Sequence, residues 1–437
     1  MEKFLTELER QISVRYQTDV LVAGGGPSGL AAAVGAARQG KRVLLVEKNA
    51  YLGGMSIVAG AICGLYTSSV NRPLQQLTEG FAGEFYKRLQ QCGGVAAPQP
   101  FGQTAIVVHD PIRWKETADA LIEAHGIQLL LHTQVVGVQV EDRQVCGVIV
   151  ENAQGRQAIY ALRYIDATGD GALSAAAGVP FTKGRNGEVQ YATATFRMAG
   201  VDWKRVDVLS TEQVQQLVRQ AEKETGMTLP RKHIYLLRAP HEGEVLCNAT
   251  AVLGPEGKAI DATDAEQLTF GELAGRKQAR IYEAFLKRYI PGFENSYMSS
   301  EPGALGIRQS RTIECVVRLT NQDVISARKR ADSVAKSAWC IEAHGANGVF
   351  LHYIQDDYYD IPYGTLVPVN LDNLTVCGRL LCAEHEALAS ARVSAQCLLT
   401  GYAAGTASSL SMETGCAMKD VDVERLQTLI QYEYGDK

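Results

Sequence analysis

A chain of 437 residues is too long for one compact core of ordinary size, so two structural units are expected. Hydrophobic residues make up 46% and charged residues 21%, the balance of a soluble globular protein. The formal charge of −5 gives no field for a polyanion, so nucleic acid is not an expected partner.

The first segment, residues 1–17, carries Phe4, Leu5, Leu8 and Ile12 at helical spacing, which predicts a short amphipathic helix. It is charged and lacks the continuous apolar core of a signal peptide, so a cytoplasmic location is expected. Next comes Asp19-Val-Leu-Val-Ala-Gly24-Gly25-Gly26-Pro27-Ser28-Gly29, an apolar run that opens directly into a Gly-x-Gly-x-x-Gly turn. An alanine-rich stretch to Ala37 follows at helical pitch, and a second apolar run, Val43 to Val46, stops on Glu47. Each part has a mechanical reason. Gly24 permits the tight turn, Gly26 lets backbone approach a pyrophosphate, and Gly29 lets helix and strand pack closely. The helix N-terminus faces phosphate charge, and Glu47 can accept both hydroxyls of an adenosine ribose. The uncharged stretch from Val20 to Ala37 belongs to this turn, so no membrane span is expected.

Beyond Glu47, Leu52-Gly53-Gly54-Met55-Ser56 and Ala59-Gly60-Ala61 are small and apolar, which permits close approach to a large planar ligand. Residues 111–125 read as a helix with Pro111 in its first turn. Ile127–Leu131 and Gln134–Val140 read as strands, and Val145–Glu151 with Gln157–Arg163 as a hairpin about Asn152-Ala-Gln-Gly155. A further strand ends on Asp166-Ala167-Thr168-Gly169-Asp170-Gly171, before a helix over Ala172–Ala177. Charged helical stretches follow at 211–225, 265–288 and 323–343. From there the first pattern returns, with a strand at Leu374–Arg379 and a small-residue helix at Ala389–Leu410. The ten cysteines contain no Cys-x-x-Cys pair and no metal-ligand spacing, so structural thiols in a reducing compartment are expected, and no metal. A redox disulfide beside the second strand would need a partner for Cys63, which that stretch lacks.

These motifs in this order resemble the FAD-dependent oxidoreductase family, within the glutathione-reductase-like flavoproteins that include fumarate reductases, over nearly the whole chain. The resemblance implies an α/β fold: a Rossmann-like FAD-binding domain of three-layer ββα type, residues 18–180 and 351–437, with an inserted α+β substrate domain, residues 181–350. It implies FAD contacts from Gly24, Gly26, Pro27, Ser28 and Gly29, from Glu47 and Lys48, and from Gly53, Gly54 and Met55. Val135 and Val136 are counted with them, as are Ala167, Thr168, Gly169 and Asp170. Gly378 and Arg379, then Ser390, Arg392 and Val393, resemble the family's C-terminal flavin clamp. Asp170 can hold the ribityl chain or pyrophosphate, or cap the following helix. The stretch Ala389–Val393 would open the C-terminal helix and aim its amides at the flavin. No histidine lies between Leu52 and Gly64, so FAD is expected to be non-covalent. A single Gly-x-Gly-x-x-Gly leaves no second nucleotide unit for NADPH.

His385, in the loop entering the flavin-facing helix, is the first candidate for handling a proton. Arg308 and Arg311 would share a face on a helix, where paired guanidiniums suit a carboxylate or phosphate; salt bridges to Glu314 or Glu301 are the alternative. Tyr353, with His344, His352 and Tyr363, either lines a pocket or forms an aromatic seam. The expected activity is hydride transfer between FAD and a small organic substrate: dehydrogenation of C–C, C–N or CH–OH, or reduction of an activated C=C bond. Alternatives are a flavin monooxygenase and an electron-transfer subunit whose partner holds the substrate. The electron partner stays open between oxygen, a carrier protein, a quinone and an organic molecule, and a homodimer is the working assembly.

Overall fold

The computed structural model describes residues 5, 9–345 and 348–430. Two apolar runs form its central strands, β1 (Val14–Ala23) and β2 (Val43–Val46), joined by helix α1 (Pro27–Arg38). They pair in parallel, Val20 with Val43 and Ala23 with Val46, and Val20 to Ala23 are wholly buried. Such continuous apolar runs suit strands covered on both faces. Gln128–Leu130 extends the sheet beyond β2, and the long strand Gly155–Asp166 lies on the other side of β1. The first half of that strand closes an antiparallel meander with Gln134–Glu141 and Gln144–Asn152. Its last three residues pair in parallel with Leu374–Val376. The architecture is mixed α/β with a largely parallel main sheet.

The long helix Ser394–Thr414 packs along α1, and the small residues that dominate it are what permit this. A Cβ on Gly401 would stand 2.1 Å from the Ser28 carbonyl oxygen, and one on Gly405 2.0 Å from that of Ala32. Two ends of the chain therefore meet backbone to backbone behind the glycine turn.

A second, four-stranded antiparallel sheet is ordered Tyr235–Arg238, Val245–Asn248, Phe196–Ala199, Tyr297–Ser300. Helices Thr211–Thr225 and Ala265–Tyr289 pack over a core that contains Phe196, Met198, Tyr282, Phe285 and Phe293. Their starts follow from sequence: Ser210 and Gln213 form a reciprocal capping box, and Asp264 accepts from Glu266 and Gln267 amides.

Four expectations change. The helix expected over 1–17 does not extend to its end, because Val14–Gln17 already belong to β1; Leu5 is fully exposed, and Phe4 and Leu8 lie outside the described residues. The expected strands at 157–163 and 164–166 are one strand, which serves two different neighbours along its length. The helix expected over 323–343 ends at Ile325, with Ala327 at φ 51° closing it. Ser333–Ser337, buried at every position, pairs instead with Tyr359–Pro362, and Ile341–Gly345 pairs with Gly348–His352. Finally, the helix expected over 389–410 is two, His385–Ala391 and Ser394–Thr414, because Val393 is extended.

Candidate active site

The glycine turn behaves as its spacing predicts. Gly24 has φ 98°, and a Cβ there would lie 2.4 Å from the Ala167 carbonyl oxygen; a Cβ on Gly29 would overlap the Gly24 carbonyl at 1.8 Å. Gly26 differs, with nothing within 4 Å of a Cβ, so its open side is where a ligand can approach. Pro27 is the first residue of α1, and Ser28 is buried beneath Gly378. The Gly53 amide donates to the Gly25 carbonyl at 2.8 Å, and a Cβ on Gly54 would lie 3.2 Å from the Gly26 Cα. Met55 opens a short helix, Met55–Ala59, just beyond.

Glu47 directly follows β2 and is buried. One carboxylate oxygen accepts the Gly25 amide at 2.6 Å, and the other accepts the Asn49 amide at 2.8 Å and its side-chain nitrogen at 2.7 Å. The acid therefore fixes the glycine turn as well as marking the strand end. Lys48, by contrast, is exposed, as is Val136; Val135 pairs with Val150 in the meander.

Asp166, not singled out from sequence, organises the second turn. It is wholly buried; one oxygen accepts from the Thr168 amide (3.0 Å) and hydroxyl (2.7 Å), the other from the Ser174 amide and hydroxyl (both 2.7 Å). An aspartate ending a strand two residues before Thr168-Gly169 is the signal that was available. The Ala167 amide donates to the Ala23 carbonyl at 2.8 Å, which joins this turn to the first. Asp170 does not cap the following helix: Gly171 is the cap residue, and the Thr168 hydroxyl accepts the Ala172 amide at 3.0 Å. Asp170 instead pairs with Arg379 at 2.9 Å. The other terminal nitrogen of Arg379, Nη1, is buried with no partner, and Nη2 is the guanidinium atom that lies against Gly169. Four segments distant in sequence thus converge on one strip: 24–29, 53–55, 166–171 and 378–379.

A cavity of about 790 Å³ is lined in part by Arg185, Ile341, His344, Phe350, His385 and Glu386, none of them in this strip. His385 begins its helix, and burial depresses its pKa, so it is neutral near neutral pH. Its Nδ1 is buried without a partner. Arg308 is 8% exposed and donates to the Tyr191 carbonyl at 2.6 Å. Burial, with Arg392 and Arg231 nearby, lowers its pKa to about 9. Arg392 donates to the Gln190 side chain at 3.2 Å, and its Nε has no partner. Ser390 is turned into the core, its hydroxyl between Tyr359 (2.8 Å) and the Trp339 carbonyl (2.5 Å).

Arg308 and Arg311 do not share a helix face. Arg311 starts a strand, Arg311–Ile313, and donates to the Asp170 carbonyl at 2.8 Å, with its guanidinium 5.0 Å from the Phe181 ring centre. Neither arginine bridges to Glu314 or Glu301, which pair with Arg318 and Arg280. Tyr353 packs against Gly102 near Phe101 and Trp339, an aromatic seam, and Tyr363 is buried with its hydroxyl donating to the Met418 carbonyl at 2.8 Å. Sequence reasoning passed over Glu342 and Arg231. Burial alone would raise the Glu342 pKa, but the His344 hydrogen bond (3.1 Å) and the Arg308 and Arg231 charges hold it near 2. His344 itself is lowered to about 4, by burial first and Arg308 second.

Residues 19–430 match the family described as FAD dependent oxidoreductase. The chain belongs to that family. This oxidoreductase is also 43% identical over 60 residues to the mitochondrial dihydrolipoyl dehydrogenase of Caenorhabditis elegans, 14% of this chain and 12% of that one. It is 29% identical over 150 residues to the thiamine thiazole synthase of Aeropyrum pernix, 34% of this chain and 48% of the relative. It therefore spans less than half the length of either relative. Among solved structures, a geranylgeranyl bacteriochlorophyll reductase-like protein from Thermoplasma acidophilum is similar with a TM-score of 0.48 at 14% identity, covering 95% of this chain and 83% of that one. An anhydrotetracycline hydroxylase from Streptomyces rimosus matches with a TM-score of 0.48 at 11% identity, over 95% of this chain and 65% of its own.

The residues of the oxidoreductase fit its cofactor, FAD. An open glycine at the start of α1 and an unpartnered guanidinium nitrogen on Arg379 are what a pyrophosphate requires. Among the described residues, no group of histidine, cysteine or acidic side chains could hold a metal, and no helix is long and apolar enough to cross a membrane.

Proposed function

We propose that this oxidoreductase transfers hydride between FAD and a small organic substrate that enters from the cavity beside His385. The observation that supports the reading is a pair of sites with different chemistry, a glycine-lined strip suited to a dinucleotide and a cavity of about 790 Å³ bordered by titratable groups, with Arg392 within electrostatic reach of Arg379 in the first and His385 in the second. When bound, FAD supplies a two-electron acceptor or donor. The protein's share is orientation and proton handling. Glu47 and Arg379 hold the two ends of the nucleotide strip. His385, neutral because it is buried, accepts or returns a proton at its unpartnered Nδ1. In this reading residues 18–180 and 351–437 form the FAD domain, and residues 181–350 supply the substrate side. The antiparallel meander from Gln134 to Asp166 supports the three-layer, glutathione-reductase type.

The test is anaerobic mixing of purified FAD-loaded protein with candidate alcohols, amines and saturated acids, with no second protein present. Bleaching of the flavin absorption supports a self-sufficient dehydrogenase. Bleaching only when a partner protein is added would transfer the substrate site to that partner.

A further inference from the structure

The short segment Gln190–Thr193 gathers a group of charged side chains outside the four segments of the dinucleotide strip, one of which, Arg392, was expected above as a cofactor contact. The Gln190 side chain accepts from Arg392 at 3.2 Å, and the Tyr191 carbonyl accepts from Arg308 at 2.6 Å. The Tyr191 amide donates to the His344 carbonyl at 3.1 Å, which fixes the strand bearing Glu342 and His344 alongside. Two residues on, the Thr193 hydroxyl donates to the Asn248 side-chain oxygen (3.3 Å), which also accepts from Arg231 at 2.7 Å. Thr193 and Gly306 exchange backbone hydrogen bonds at 2.7 and 3.3 Å, so the approach to Arg308 is pinned to the same segment.

Three guanidiniums are held here by neutral oxygens. Among the described residues none of the three makes an ion pair with a carboxylate, whereas Arg379, Arg318 and Arg280 all do. The acid that acts on all three is Glu342, and it is hydrogen-bonded to His344 rather than to any of them. Positive charge therefore exceeds negative charge in a region largely shut off from water. Buried charge is tolerated where a counter-ion completes it. The Arg392 Nε has no partner, and His344 connects the cluster to the cavity wall.

We infer that Arg231, Arg308 and Arg392 form an oxyanion-binding site, and that the substrate carries a carboxylate or a phosphate which this site holds against Glu342 and His344. The inference rests on the cavity being the substrate site, as proposed above. Planar forks grip such groups in two directions at once, which would orient the substrate as well as retain it. Glu342 sets the charge balance: it keeps the empty site tolerable and opposes the incoming anion.

Isothermal titration calorimetry on the full-length FAD-loaded protein tests this, with succinate, inorganic phosphate and neutral succinamide as probes. Saturable heat with succinate or phosphate, and none with succinamide, is expected; the stronger of the two anions identifies the group. Arg231→Gln and Arg308→Gln should each weaken that binding by about tenfold or more with FAD content unchanged. Glu342→Gln should strengthen it, a sign that loss of packing would not produce. Equal heats for succinamide, no heat for either anion, or undiminished affinity in both arginine variants would overturn the inference. So would loss of FAD from both variants, which would assign the cluster to the cofactor. Because the heat is read without turnover, failure of the hydride-transfer reading would show separately, as flavin that no substrate bleaches.

Discussion

Glu47 illustrates how one side chain can have two duties. Its carboxylate holds the Gly25 amide and Asn49, so removing it loosens the glycine turn as well as deleting an acceptor for ribose. Glu47→Ala should therefore weaken FAD binding by roughly 10- to 100-fold, the scale of one or two charge-assisted hydrogen bonds, measured by flavin release on dilution. Unchanged retention would remove the ribose assignment. His385 is the opposite case, a residue whose neighbours leave one ring nitrogen free. His385→Ala should retain FAD and slow flavin reduction by about 100-fold or more, read by stopped-flow absorbance. A normal reductive rate would move proton handling elsewhere. Which residues were legible in sequence follows a simple division. Gly24, Gly26, Glu47 and Thr168 sit in short segments whose spacing alone dictates geometry. Arg231 comes within electrostatic reach of Glu342 only because separate strands and loops converge on residues 190–193, and no local pattern marks either one.

At the level of elements, the fully buried parallel strands were readable because their runs are continuous and apolar. The helix expected over 323–343 was not, because charged residues at 328–330 mimic a helical surface while they actually form irregular chain after the turn at 326–327. Burial of Ser333–Ser337 on both faces, with Tyr359–Pro362 as its partner, overrides local preference there. The contact between α1 and Ser394–Thr414 allows a sharper prediction. Gly405→Val places a branched side chain where backbone stands 2.0 Å from a Cβ, so the helices must separate. Overpacking of this kind costs about 3 kcal/mol or more. A lower melting temperature and a lower FAD content are expected together. A stable variant with full cofactor would show that the helices can part without disturbing the nucleotide strip.

For the whole molecule, two buried histidines set the response to acid. Burial lowers both His109 and His344 to about 4, below the ordinary value of 6.5. The unfolded chain therefore binds protons that the folded chain refuses between those limits. Stability contributed by the neutral rings is complete above about pH 6.5 and is lost as pH falls towards 4. Glu342 adds to this lower down, since its carboxylate, held near 2 against 4.5 when free, favours folding above that window and ceases to as it protonates. Melting temperature should fall steeply between pH 6.5 and 4, and a His109→Gln variant should show a shallower slope. Parallel slopes in the two proteins would mean that His109 titrates normally.

The helix that lies against α1 ends at Thr414, while the turn it supports begins at Gly24. A ribosome emitting this polypeptide therefore delivers the phosphate turn long before its backing. Until residues 394–414 emerge, the turn lacks the surface that shapes it, so loading with FAD must await that helix. Termination anywhere within residues 394–414 would yield colourless chains, however intact their glycine turn.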